Sequence, residues 1–293
     1  MQAPILSASP QIERLSSIDA VKFREEYVKP QVPLIFGSGI ANWNALRTWG
    51  PKFLRDQFPG LEVVDEHTQE TNSLEMFITS IEQGESCWGR LYLIDQYAHM
   101  IRDVSPSPPC LDNSWLQGRF IPSFYGLKRR IQQPSRPDLL IGGPASYFPM
   151  YHHEHNFCHC FLFQIYGDKQ VVLFEPNAKE SLYPYADHPN KSTLSPVDVP
   201  DPDSHPLFQR AKFVTGTLSP GDTLFSPSGW WLGIHNPTVS LTVRQHLVEA
   251  SNWKLFCRGF VAQHKFHSNA FKAALDAMVL RLLKAAYTVS PGR

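Results

Sequence analysis

No apolar run in the 293-residue sequence approaches the length of a bilayer span. The nearest, "AMVLRLLKAAY", is interrupted by Arg281 and Lys284 and reads as an amphipathic helix. Cysteine is scarce and odd in number: five residues, at 87, 110, 158, 160 and 257, are poor material for a disulfide framework and fit a reducing compartment. The opening "MQAPILSASPQIERL" lacks the basic region and apolar run of a secretory signal, so a cytoplasmic protein is expected. Net charge is absent as well. Twenty-seven basic side chains balance 27 acidic ones, so no global field favours nucleic acid or an anionic membrane. "LKRR" at 127–130 is the densest basic cluster and reads as ordinary surface. Solenoid-type repeats and low-complexity tracts are also missing.

What is present is a succession of strand signals with helical additions. "SIDAVKFREEYV" spaces Ala20, Phe23 and Tyr27 for one helical face, and "PQVPLIFG" reads as a strand set off by prolines. Helices are expected in "WNALRTWGPKFLRDQFPG" and "SLEMFITSIEQG", and strands in "LEVVDEH" and "RLYLIDQYA". Residues 102–138, rich in proline and serine, read as surface loop with a short structured insert. From 139 onward strands follow one another, separated by Pro-Gly turns, which argues for an antiparallel barrel or sandwich. Over thirty residues within 177–210 show little periodicity, and a loop of that length is a functional or mobile element. The tail from 251 spaces Leu275, Met278, Val279 and Leu282 for one helix face, suited to covering the barrel or forming a homodimer contact. The expected division is a barrel domain over 1–250 and a helical extension over 251–293.

The densest chemistry lies in "PMYHHEHNFCHCFLFQIYGDKQ", residues 149–170. On a strand, His152 and Glu154 project from one face while His153, His155 and His159 point the other way. A histidine and a carboxylate two residues apart can hold one octahedral metal if another histidine arrives from elsewhere, leaving positions open for a co-substrate and oxygen. The bland alternative is a polar, partly exposed strand surface. Structural zinc is disfavoured, because Cys158, His159 and Cys160 alternate faces and no C-x-x-C partner exists. Cys158 and Cys160 read as small buried hydrophobes.

"FREEYVKPQVPLIF", "QIYGDKQVVLFEP", "LYPYAD", "LSPVDVPDPDSHPLF" and "LSPGDTLFSPSGWW", in this order and spacing over roughly 11–250, resemble the JmjC-like cupins. These are 2-oxoglutarate- and iron(II)-dependent oxygenases that include protein hydroxylases. The resemblance implies an all-β core built as a double-stranded β-helix (a cupin or jelly-roll barrel), with an N-terminal mixed region and C-terminal helices. It also implies His152 and Glu154 as metal ligands and Lys169 as the lysine that pairs with the distal carboxylate of 2-oxoglutarate by a charge-assisted bond.

The pattern breaks at one position. The family's second histidine follows the paired tryptophans; here Trp230 and Trp231 are followed by Leu232, which cannot coordinate iron. Three outcomes stay open. His235 substitutes, re-aimed by a bulge at Gly233; His152 or His153 with His155 and Glu154 supplies an altered set, which on a shift to His153 and His155 releases Glu154; or the barrel is a binding or scaffold module without iron chemistry. The expected site is therefore His152, Glu154 and His235 at the metal and Lys169, Tyr92 and Arg244 at the co-substrate, with Tyr147, Trp230 and Leu232 in the pocket wall. Of the two tryptophans, one is expected inward and the other under the C-terminal cover. Asn236 is placed to hydrogen-bond near the pocket and, before a proline, is at least as well suited to start a turn. The implied activity is hydroxylation of a protein or peptide side chain or of a small molecule.

Overall fold

The computed structural model describes residues 10–92, 94–112, 114–117, 127–152, 157–196, 198–267 and 270–289, some as backbone alone. Among them run the strands β1 (Arg14–Leu15), β2 (Leu34–Phe36), β3 (Glu62–Asp65), β4 (Thr71–Ser73), β5 (Trp88–Leu91), β6 (Asp138–Gly142) and β7 (Ser146–His152). They continue as β8 (His159–Tyr166), β9 (Lys169–Phe174), β10 (Phe213–Leu218), β11 (Thr223–Ser226), β12 (Trp231–Asn236) and β13 (Ser240–Leu247). The larger sheet has the order β1-β2-β11-β8-β13-β6-β5-β3-β4, and the smaller β10-β9-β12-β7. From β6 to β13 the chain keeps crossing between the two, with β6, β8, β11 and β13 in one and β7, β9, β10 and β12 in the other. That alternation is the double-stranded β-helix of a cupin, with its helices at the two ends of the chain.

Strand β8, "HCFLFQIY", is apolar on both faces because both are covered. Phe161, Phe163 and Ile165 face outward into a core with Phe23, Trp43, Leu54 and Phe77. Cys160 and Leu162 face inward, where Leu140 and Leu224 meet Val171, Leu173 and Ile234 of the smaller sheet. The outer core is built by α1 (Ala20–Phe23), α2 (Pro51–Gln57) and α3 (Leu74–Glu82). Helix α3 starts where the Ser73 hydroxyl accepts the Met76 N–H at 3.2 Å, and it buries Leu74, Phe77, Ile78 and Ile81. Of the face expected for the first helix, Phe23 and Tyr27 are buried and Ala20 is exposed.

A third layer covers the other side of the smaller sheet. Met150, Val172, Phe174 and Trp231 lie under Ala178, Leu182 and Leu194, which belong to the long aperiodic segment. Trp231 is therefore roofed by that segment and not by the C-terminal helices. Those helices, α4 (Trp253–His267) and α5 (Ala270–Val289), pack on each other through Trp253, Phe256 and Phe260 against Val279, Leu280 and Leu283. The buried row on α5 is thus shifted from the expected one. Met278 and Leu282 are 52% and 63% exposed, because the α4 aromatics engage the neighbouring stripe; the Leu275 side chain lies outside the described residues. The strand expected in "RLYLIDQYA" begins earlier, at Trp88, and gives way to a 3-10 turn at Ile94–Gln96. No helix among the described residues is long and apolar enough to cross a membrane.

Candidate functional site

The barrel interior is set by strand alternation. On β12, Leu232 and Ile234 belong to the inner core, whereas Trp231 belongs to the outer layer of the smaller sheet. A side chain added at Gly233 would meet Pro196, Met150 and Val172, atoms of that outer layer. Pairing of β12 with β9 runs without a break from Trp231 opposite Phe174 to His235 opposite Gln170. The irregularity lies on the other neighbour: β7 pairs Tyr151 with Leu232 and Phe148 with Ile234, so residues 149 and 150 together oppose Gly233. The bulge expected at Gly233 is on β7 instead, and β12 stays regular. His235 consequently remains on the face opposite Leu232, its Nδ1 2.9 Å from Gln170 Oε1. Burial holds its pKa below the ordinary imidazole value.

Leu232 and Tyr151 wall a cavity of about 30 Å³ with Phe148, Cys158, Cys160 and Trp230. This is room for about one water molecule. Trp230 is fixed by donation from its indole Nε1 to the Gln31 carbonyl at 3.1 Å. His152 ends β7 opposite Trp231, with only its backbone described, and His153, Glu154 and His155 lie outside the described residues. An iron(II) centre of the kind the resemblance implies needs an imidazole where Leu232 stands. The described residues do not fit one: the inward position is aliphatic, and the imidazole of β12 is on the far face. Among the described residues no three His, Cys, Asp or Glu side chains converge.

Lys169 opens β9 on the inner face and is 2% exposed. Its Nζ donates to Asn236 Oδ1 at 2.6 Å, and Asn236 Nδ2 donates to Ser146 Oγ at 2.9 Å. A side chain at Gly142 would collide with that amide at 2.1 Å, so the strand must be bare there. Burial pushes the ammonium pKa down to about 7. Asn236 is thus an interior residue two positions beyond Ile234 on the alternating strand. Of the two readings of Asn236, hydrogen bonding near the pocket and a turn before Pro237, the structure has the first.

Arg244 also faces inward. It lies opposite Asp138 of β6, and its Nη2 donates to Asp138 Oδ2 at 2.9 Å, with both side chains almost fully buried. Tyr92, just past β5, is at the rim and 40% exposed. Its hydroxyl donates to Glu66 Oε1 at 3.0 Å and accepts from Arg90 Nη1 at 3.2 Å. Burial raises its pKa, and Glu66 adds to the shift against the opposing pull of Arg90. Tyr147 is likewise at the rim, opposite His235, its ring edge-on to His67.

The larger opening is a cleft of about 640 Å³ at the barrel mouth, which residue reasoning on the histidine cluster missed. Trp88, Phe148 and Tyr151 form its apolar part, and Arg90, Lys191, Glu66 and Asp187 supply charge of both signs. The signal was the pairing of Trp88 and Arg90 two residues apart on β5. Lys191 arrives on the long segment: its backbone bridges to Tyr151, and its Nζ lies 5.9 Å and 5.7 Å from the centres of the Tyr151 and Tyr185 rings. Trp88 is 5% exposed, and its Nε1–H has no acceptor among the described residues.

Below the small cavity, His159 is fully buried. Its Nδ1 accepts the Ser228 N–H at 2.9 Å, which leaves Nε2 to face Ser251 Oγ at 3.1 Å. Burial lowers its pKa to about 3. Between pH 6.5 and about 3 the unfolded chain binds a proton that the folded one refuses, so stability is expected to fall as pH falls through that window. Urea midpoints at pH 6.5 and 4.5 should separate clearly for the native chain and less for His159→Gln. Equal acid losses in the two would remove His159 from the account.

A family model described as a cupin-like domain matches residues 20–245. Lysine-specific demethylase 8 of Xenopus tropicalis is 25% identical over 256 residues, covering 82% of this chain and 53% of that protein. The same-named protein of Danio rerio is 26% identical over 259 residues, covering 82% and 59%. The tRNA wybutosine-synthesizing protein 5 of Mus musculus is 38% identical over 71 residues, covering 24% and 22%. The chain spans little more than half the length of the demethylase relatives.

Proposed function

The chain belongs to the cupin-like domain family, within the superfamily of 2-oxoglutarate- and iron(II)-type oxygenases, and from that premise we propose that it is a binding module of this fold. Its ligand would occupy the cleft at the barrel mouth. The carrying observation is Leu232, turned inward against Tyr151 while His235 faces away. The cleft has the volume of a small-molecule site, with one apolar wall and a polar remainder that carries Glu66, Arg90, Asp187 and Lys191. The buried Trp88 N–H supports the reading: a ligand acceptor or a bound water would satisfy a donor that the protein leaves open.

A second reading is favoured by one feature. Lys169 sits inside the barrel, where among the described residues its ammonium donates to an amide oxygen, an arrangement suited to a carboxylate. In that reading His152, Glu154 and a third ligand hold iron(II), and 2-oxoglutarate reaches Lys169, for hydroxylation of a protein side chain or a small molecule. Iron would supply oxygen activation; this chain's residues would bind and orient the co-substrate.

The two readings part under anaerobic titration of iron(II) with 2-oxoglutarate. The binding-module reading predicts no metal-to-ligand charge-transfer band in the native chain. A band in the native chain that survives His235→Ala and disappears in His152→Ala would overturn it in favour of a metal site built from the 152–156 segment.

A further inference from the structure

The two ends of the chain differ in charge although the whole is neutral. Of 27 basic and 27 acidic side chains, seven and one fall in residues 251–293, which leaves 20 and 26 for residues 1–250. The α4–α5 pair is therefore a cationic arm on an acidic barrel. Between the two helices runs a groove of about 550 Å³. Its floor is apolar, with Trp253, Val261, Ala277 and Leu280. Lys254 and Arg258 stand along one bank and Arg281 and Lys284 along the other, all four exposed, and no acid lines it among the described side chains.

We infer that this groove docks an acidic, amphipathic helical segment of a partner protein. A helix laid in an apolar groove presents anchors at three- and four-residue spacing, and acids flanking that stripe would meet cations on both banks. The volume suits a few aliphatic side chains and not a flat surface. A second copy of this chain fits poorly. A two-fold contact through the groove sets the same patch against itself, which would oppose four cations to four. A lipid surface fits poorly too. The exposed apolar residues Met278 and Leu282 lie on the flank of α5 away from the groove, so cations and apolar side chains do not share one plane.

The test uses the full chain and a fluorescent peptide of about 18 residues, long enough to form a helix, with Leu at helical spacing and Glu elsewhere. A counterpart carries Lys in place of Glu. The acidic peptide is expected to bind in the micromolar range and the basic one not to bind. Arg258→Glu with Arg281→Glu should weaken the acidic peptide by roughly tenfold or more and create binding to the basic one, since charge pairing sets the preference. Ala277→Trp, which fills the groove without touching charge, should also abolish binding. Equal binding of both peptides, no binding of either, or indifference to the charge reversal would overturn the inference. So would a dimer in sedimentation that the reversal dissociates, or capture by phosphatidylserine vesicles in place of the peptide.

Discussion

Replacing Arg244 with leucine is expected to cost the fold about 3–5 kcal/mol, because it leaves the Asp138 carboxylate buried without its cation. The two side chains are 2% and 7% exposed, and their contact of 2.9 Å lies on the inner wall between β13 and β6. Their neighbours on that wall include Leu140 and Leu162, so water cannot replace the guanidinium. The Asp138→Leu change alone strands the arginine in the same way. The double replacement with leucine at both positions should recover most of the loss, since an apolar pair of similar volume is often neutral where one orphaned charge is not. Urea unfolding of the four proteins closes the cycle. Additive losses in the double variant would show that the two do not act as a pair. Such a result would also free Arg244 for the co-substrate role read from the sequence. With Asp138 bound, Arg244 has one of its fork faces committed to the wall.

The barrel was legible because its strands carry period-two signals and Pro-Gly turns, and the topology follows once "QVVLFEP", "LSPGDTLFSP" and "SLTVRQHLV" are placed in order. The interior was less so, for a physical reason. On β8, β9 and β13 both faces are buried, so hydrophobicity does not report which face looks inward. Arg244 could be assigned only through its register with Asp138, a residue more than a hundred positions away. Lys169 gave no local warning either, since a lysine two residues after a glycine turn reads as surface; its burial depends on Asn236 and Ser146 arriving from other strands. One reading of the sequence put a bulge at Gly233, and the irregularity lies opposite it, on β7. Glycine marks where a chain can bend, not where it must, and the regular ladder between β12 and β9 holds Gly233 straight. The aperiodic segment could not announce that its Leu182 and Leu194 would roof Trp231, because scattered apolar residues in a loop carry no face.

Stability should rise with pH across the interval in which Lys169 loses its proton in the folded state but keeps it in the unfolded one. Burial lowers the folded pKa from 10.5 to about 7. Below the lower value both states are charged, and the fold bears the full cost of an ammonium that, among the described residues, donates to one amide oxygen. Between the two values the unfolded chain holds the extra proton, so unfolding becomes less favourable as pH increases, by up to ~1.4 kcal/mol per unit. Above the upper value the burden is gone. Lys169→Met keeps the stem and removes the titration. Asn236 then loses a donor, at a cost of about 1–3 kcal/mol that does not vary with pH. The difference in unfolding free energy between the two proteins, measured in urea from pH 6.5 to 10, should therefore slope steadily in favour of the native chain. Parallel curves would mean that the ammonium is not carried as a buried charge at all. Saturating 2-oxoglutarate gives the same experiment a second use: a carboxylate on Lys169 would raise the folded pKa and flatten the native curve, as the hydroxylase reading requires. A curve that the diacid leaves untouched places Lys169 as an internal strut between β9 and Asn236, with the ligand confined to the cleft lined by Trp88 and Tyr151.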